Sequence, residues 1–109
     1  MDDHTRTIDG SEIEDFDSFH RVFKQAMGFP EFYGNNMNAW IDCMGDIHED
    51  TGMSNVLLAA NQPLNLVILN TKIFNQTCPD VLAALVEDTA FVNDERLQNQ
   101  APIRLIFHK

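Results

Sequence analysis

The sequence predicts an α/β protein in which a small three-stranded parallel sheet is covered by helices. Three β-rich runs, at Thr5 to Ile8, Pro63 to Asn70 and Ile103 to Phe107, are spread along the chain. Segments with helical spacing lie between them. Strands separated by helical segments need crossover connections, and crossovers join parallel strands. At 109 residues the chain can bury one core but hardly two, so residues 1–109 are expected to form one domain.

The first run is the weakest, since only Ile8 is clearly apolar, but it ends on the turn dipeptide Asp9-Gly10. From Asp15 to Met27, Phe16, Phe19, Val22, Phe23, Ala26 and Met27 recur at helical spacing, with acids at the start and Arg21 and Lys24 later. Gly28 and Pro30 then stop the helix. The glycine accepts the left-handed conformation of a helix end, and the proline cannot continue the hydrogen-bond ladder.

Asn35 or Asn36 is a capping residue for a second helix, whose Met37, Trp40, Ile41 and Met44 follow the i, i+3, i+4, i+7 pattern. The breaker-rich stretch Asp46 to Asn61 is expected to be a long connection with some helix. PLNLVILN, Pro63 to Asn70, is nearly continuous in apolar residues over Leu66 to Leu69, as a strand buried on both faces would be. After Cys78-Pro79-Asp80 a third helix is expected, with Val81, Leu82, Leu85 and Val86 on one face and a continuation toward Phe91 and Val92. The final strand follows a Gln/Asn-rich turn.

The composition, 44% hydrophobic and 22% charged, is that of a globular protein. Its longest apolar runs fall far short of the roughly 18 residues that span a bilayer. MDDHTRTIDG has two acids and no apolar core, so it does not read as a secretory signal, and a cytoplasmic location is expected. Cys43 and Cys78, without a CxxC or a disulfide-dense spacing, suit a reducing compartment.

Charge is the most informative total: 17 acids against 7 Lys and Arg leave a net charge of −10. Between Lys24 and Arg96 the only cation is Lys72, while ten acids fall in the same interval, among them Asp42, Asp46, Glu49, Asp50 and Glu87. Such a field repels nucleic acid and anionic membranes and steers basic partners toward the surface.

No enzyme constellation is present. The chain has no GxSxG, no Walker loop and no GxGxxG. Its histidines, His4, His20, His48 and His108, are scattered, with no i, i+4 pair. Asp46, His48, Glu49 and Asp50 read as a solvated acidic loop rather than as a metal site. No cofactor is expected. The second helix stands out instead. At about 100° per residue, Met37, Trp40, Ile41 and Met44 fall on one side and Asn38, Asp42 and Asp46 along the other. This polar stripe carries an acid, Asp42, with no pairing cation.

FPEFYGNNMNAWIDCM, Phe29 to Met44, resembles the central motif of the barstar family, inhibitors of barnase-type extracellular ribonucleases. The resemblance runs from about Thr7 to the last strand, covering most of the chain. It implies a barstar-like fold of three parallel strands covered by helices, and a partner that is a basic secreted ribonuclease or related toxin. It also implies that Asp42 enters the nuclease's phosphate-binding region and that Glu87 is a second acidic contact. Phe32 matches a tyrosine packed against the nuclease, and Tyr33 the neighbouring aromatic. Asn38 stands where the best-known member has an interfacial aspartate, and Ile41 where it has an interfacial tryptophan. The chain is longer than that member between Met44 and Pro63, which extends the expected interface to Asp46. The changes at Phe32, Asn38 and Ile41 leave open a second reading, a protein-interaction domain of the same fold with a non-nuclease partner.

Overall fold

A computed structural model describes residues 4–109. Three strands, β1 (Thr5–Asp9), β2 (Leu64–Leu69) and β3 (Ile103–Phe107), form one parallel sheet in the order β1-β2-β3. Ile8 pairs with Ile68, and Leu66 with Leu105, so the register is continuous across the sheet. Four helices fill the crossovers: α1 (Phe16–Met27), α2 (Met37–Met44), α3 (Thr71–Thr77) and α4 (Pro79–Phe91). No helix among the described residues is long and apolar enough to cross a membrane.

The expected sheet and the three expected helices are present. α1 begins at Asp15, whose carboxylate accepts from Ser18 N at 2.8 Å while Ser18 Oγ accepts from Asp15 N at 3.0 Å. It ends at Gly28, with φ of 65°. Phe19, Phe23 and Met27 on its inner face are fully buried, together with Ile8, Leu64, Leu66, Ile68, Phe74 and Leu85 from the other elements. α2 is capped by Asn36, whose Oδ1 accepts from Ala39 N at 2.8 Å.

Four expectations need correction. β2 is not buried on both faces: Leu64, Leu66 and Ile68 are sealed while Asn65, Val67 and Leu69 are half-covered, because the helices close one face more completely than the other. α3 was not anticipated, since its seven residues bury only Phe74 and so offer no apolar period. On α4 the buried residues are Val81, Leu85 and Thr89, continuing to Val92, while Leu82 is half-buried and Val86 and Phe91 are exposed. A threonine on the inner line hides the true stripe from a count of apolar residues.

The fourth correction concerns residues 45–63, which contain turns and bends but no helix. Long-range bonds hold this connection instead. Asn55 N donates to Met27 O at 2.7 Å, Leu58 N to Ile47 O at 2.8 Å and Ala101 N to Ala60 O at 2.7 Å. Ile47, Val56 and Leu58 within it are buried. The His48 ring lies between two backbone carbonyls, Nδ1 at 3.1 Å from Leu58 O and Nε2 at 2.9 Å from Ala101 O, which ties the connection to the approach of β3.

The end of α1 and this connection meet at Gly28. A Cβ there would lie 2.8–3.0 Å from the side chain of Asn55, in addition to the strain of a positive φ. Gly28→Ala is therefore expected to lower stability by about 1–2 kcal/mol, whereas Gly52→Ala, at φ of 77° with nothing within 4 Å, should cost less. Urea unfolding of the two variants measures the difference.

Candidate functional site

The polar stripe of α2 faces outward because its other side is anchored. Trp40 is fully buried between Phe19 and Phe23, with ring centroids 6.2 Å and 5.7 Å away, the second contact edge-to-face. Cys43 and Met44 are buried beside it. That packing leaves Asn38 and Asp42 exposed and Ile41 and Asp46 half-buried. Asp46 accepts a hydrogen bond from Thr51 Oγ1 at 3.0 Å.

The loop before α2 is held from below by Tyr33. Its ring packs on Phe29 at 4.7 Å, and its hydroxyl lies 2.6 Å from His20 Nδ1 in the interior. Burial holds the Tyr33 phenol above its ordinary range, so it stays protonated and donates to the imidazole. Burial also lowers the pKa of His20, against the opposing charge of Asp17, which favours the neutral ring that accepts this bond. Tyr33 N also donates to Pro30 O at 2.9 Å. With Tyr33 turned in, the neighbouring Phe32 is turned out, with 76% of its surface exposed.

Phe32, Tyr33 and Asp42 therefore converge on one open pocket of about 280 Å³, completed by Pro30, Ala39, Cys43 and Met53. Burial, followed by the charges of Asp42 and Asp46, pushes the Cys43 thiol up to about 11, so it stays an unreactive thiol. Glu87 is not part of this pocket. It is exposed on α4, which packs against α2. Beside it, the half-buried Asp88 has its carboxyl pKa raised by burial and then by the Glu87 charge. Among the described residues, no group of three or more His, Cys, Asp or Glu side chains could hold a metal ion.

The expectation that Asp42 lacks a pairing cation is wrong. Arg96 Nη2 lies 2.6 Å from Asp42 Oδ1, with both side chains substantially exposed. Arg96 ends a π-helical turn, Val92–Arg96, that follows α4. Its extra residue, marked by Leu97 N donating to Val92 O at 3.0 Å, re-aims the chain relative to a continued α-helix. In sequence Arg96 is only the cation that closes the acidic interval. No local signal links it to a residue 54 positions earlier.

A family model described as "Barstar (barnase inhibitor)" matches residues 3–107. A protein of Bacillus subtilis (strain 168) named "Putative ribonuclease inhibitor YrdF" is 30% identical over 92 residues, spanning 81% of this chain and 88% of that relative.

The burial of His20 implies a pH dependence of stability. Between the lowered folded value and the ordinary value of about 6.5, the unfolded chain binds a proton that the folded chain does not. This contribution is therefore fully present above about pH 6.5 and is lost as pH falls through that value toward the folded one. Urea unfolding between about pH 5 and 7.5 should give a stability that rises with pH, and His20→Gln should flatten the rise.

Proposed function

The chain belongs to the barstar family, and from that premise we propose that it is an intracellular inhibitor that binds a barnase-type ribonuclease, or a related toxin, one to one and blocks its active site. It forms one barstar-like domain and works without cofactor, metal or catalytic step of its own. As an immunity protein it protects the RNA of the cell that makes the nuclease.

The observation that carries this reading is the exposed pair of Asp42 and Phe32 on one pocket rim, on a protein of net charge −10. A ribonuclease must hold phosphates, and it does so with cations that are concentrated in a cleft. A carboxylate on a rigid helix takes the position of a phosphate there, and the acidic surface steers the encounter. Phe32 supplies apolar area. Burying such a ring contributes about 1.5–3 kcal/mol, and Phe32 has most of its surface available to be covered. Tyr33 serves as the support that keeps Phe32 turned out. Glu87 is a second acidic contact, with Asn38, Ile41 and Asp46 on the flanks of Asp42. Free, buried Cys43 and Cys78 fit a cytoplasmic site of action.

Calorimetric titration into a catalytically inactive barnase-type ribonuclease tests the proposal. The native chain should bind tightly, more weakly as salt is raised. Asp42→Ala should lose about 2–5 kcal/mol, a range for desolvated charge pairs drawn partly from the barnase–barstar complex itself. Absence of binding by the native chain would overturn the proposal and redirect the search to a partner of another kind.

A further inference from the structure

Asp42 is not free in the unbound protein. Its partner Arg96 makes one contact, from a single guanidinium nitrogen to a single carboxylate oxygen at 2.6 Å. The geometry that permits it is local to the end of α2. At Gly45, which terminates the helix, a Cβ would stand 3.2 Å from both Cβ and Cγ of Arg96. The arginine stem thus lies across a position kept clear of side chain, and from there its head reaches back to Asp42.

Arg96 also borders a second surface pocket of about 420 Å³, together with Glu49 and Glu95. One cation therefore has two acidic neighbourhoods within reach. It occupies the one that contains the residue assigned to the nuclease.

We propose that Arg96 is a specificity-determining residue that competes with the partner for Asp42. This rests on the inhibitor reading above. In the free protein Arg96 neutralises Asp42. On docking, the cations of the nuclease displace it, and it turns toward Glu49 and Glu95. A partner that offers one exposed lysine gains little by the exchange, because it replaces one single-contact cation with another. A partner that presents several cations, or a two-pronged guanidinium contact, gains a stronger set of bonds. The displaced pair is exposed and screened by salt, so the threshold it sets is low and depends on ionic strength.

The test compares Arg96→Gln with Arg104→Gln. Arg104 is exposed on β3 and is not in the proposed interface, so both changes alter net charge equally. Each is made in the native and in the Asp42→Ala background, and the probe is the catalytically inactive ribonuclease at low and moderate salt. Arg96→Gln should bind about two- to five-fold more tightly than Arg104→Gln, the scale of an exposed ion pair. The advantage should shrink with salt and vanish when Asp42 is alanine.

Equal or weaker binding by Arg96→Gln would overturn the competition and leave the inhibitor reading intact. A gain that persists in the Asp42→Ala background would overturn it too, since repulsion between Arg96 and the nuclease would then be acting directly. If neither the native chain nor Arg96→Gln binds, the inhibitor reading and the competition fall together.

Discussion

The burial of Trp40 between Phe19 and Phe23 is the contact on which the rest of the site depends. An α-helix advances about 100° per residue, so fixing one side chain in the core fixes the direction of all the others. With Trp40 inward, Cys43 and Met44 follow it into the core and Asp42 is carried to the outside. α2 has only eight residues and would not be stable alone, so this aromatic contact also holds it as a helix. The exposed polar face and the core packing are thus two readings of one helix phase.

The same division of labour runs through the loop that leads into α2. Phe29 and Tyr33 face inward and Phe32 outward. The hydroxyl of Tyr33 would be costly to bury without a partner, and His20 on α1 supplies one. A neutral histidine and a protonated phenol form that bond without bringing a charge into the core. The loop is consequently held where Phe32 is exposed, which on the proposed docking would limit the conformational entropy lost.

Electrostatics acts on two scales. The net charge of −10 sets a long-range field that favours a basic partner and disfavours nucleic acid. At contact range the relevant fact is a single pair, Asp42 with Arg96. An acidic protein that leaves its central carboxylate bare would attract any cation. On the competition proposed above, one that pairs it with its own arginine would respond to a denser array of positive charge.

Much of this molecule is legible in the residues alone. The boundaries of α1, the cap at Asn36, the left-handed Gly28 and the two-sided character of α2 depend on residues within a few positions of one another, and periodicity and turn chemistry report such relations directly. The family resemblance of Phe29 to Met44 is equally a matter of local pattern. Where the pattern was too short or was interrupted, the reading failed: seven residues of α3 bury one phenylalanine, and Thr89 interrupts the inner line of α4. The irregular path of residues 45–63 depends on bonds to Met27 and to residue 101, which no local count contains. The meeting of Arg96 with Asp42 is of this kind. The sequence determined that a polar face with an acid would be presented on α2. Only the tertiary structure decided that the acid would be paired, because packing α4 on α2 and widening the turn after α4 bring together charges that lie 54 residues apart in the chain.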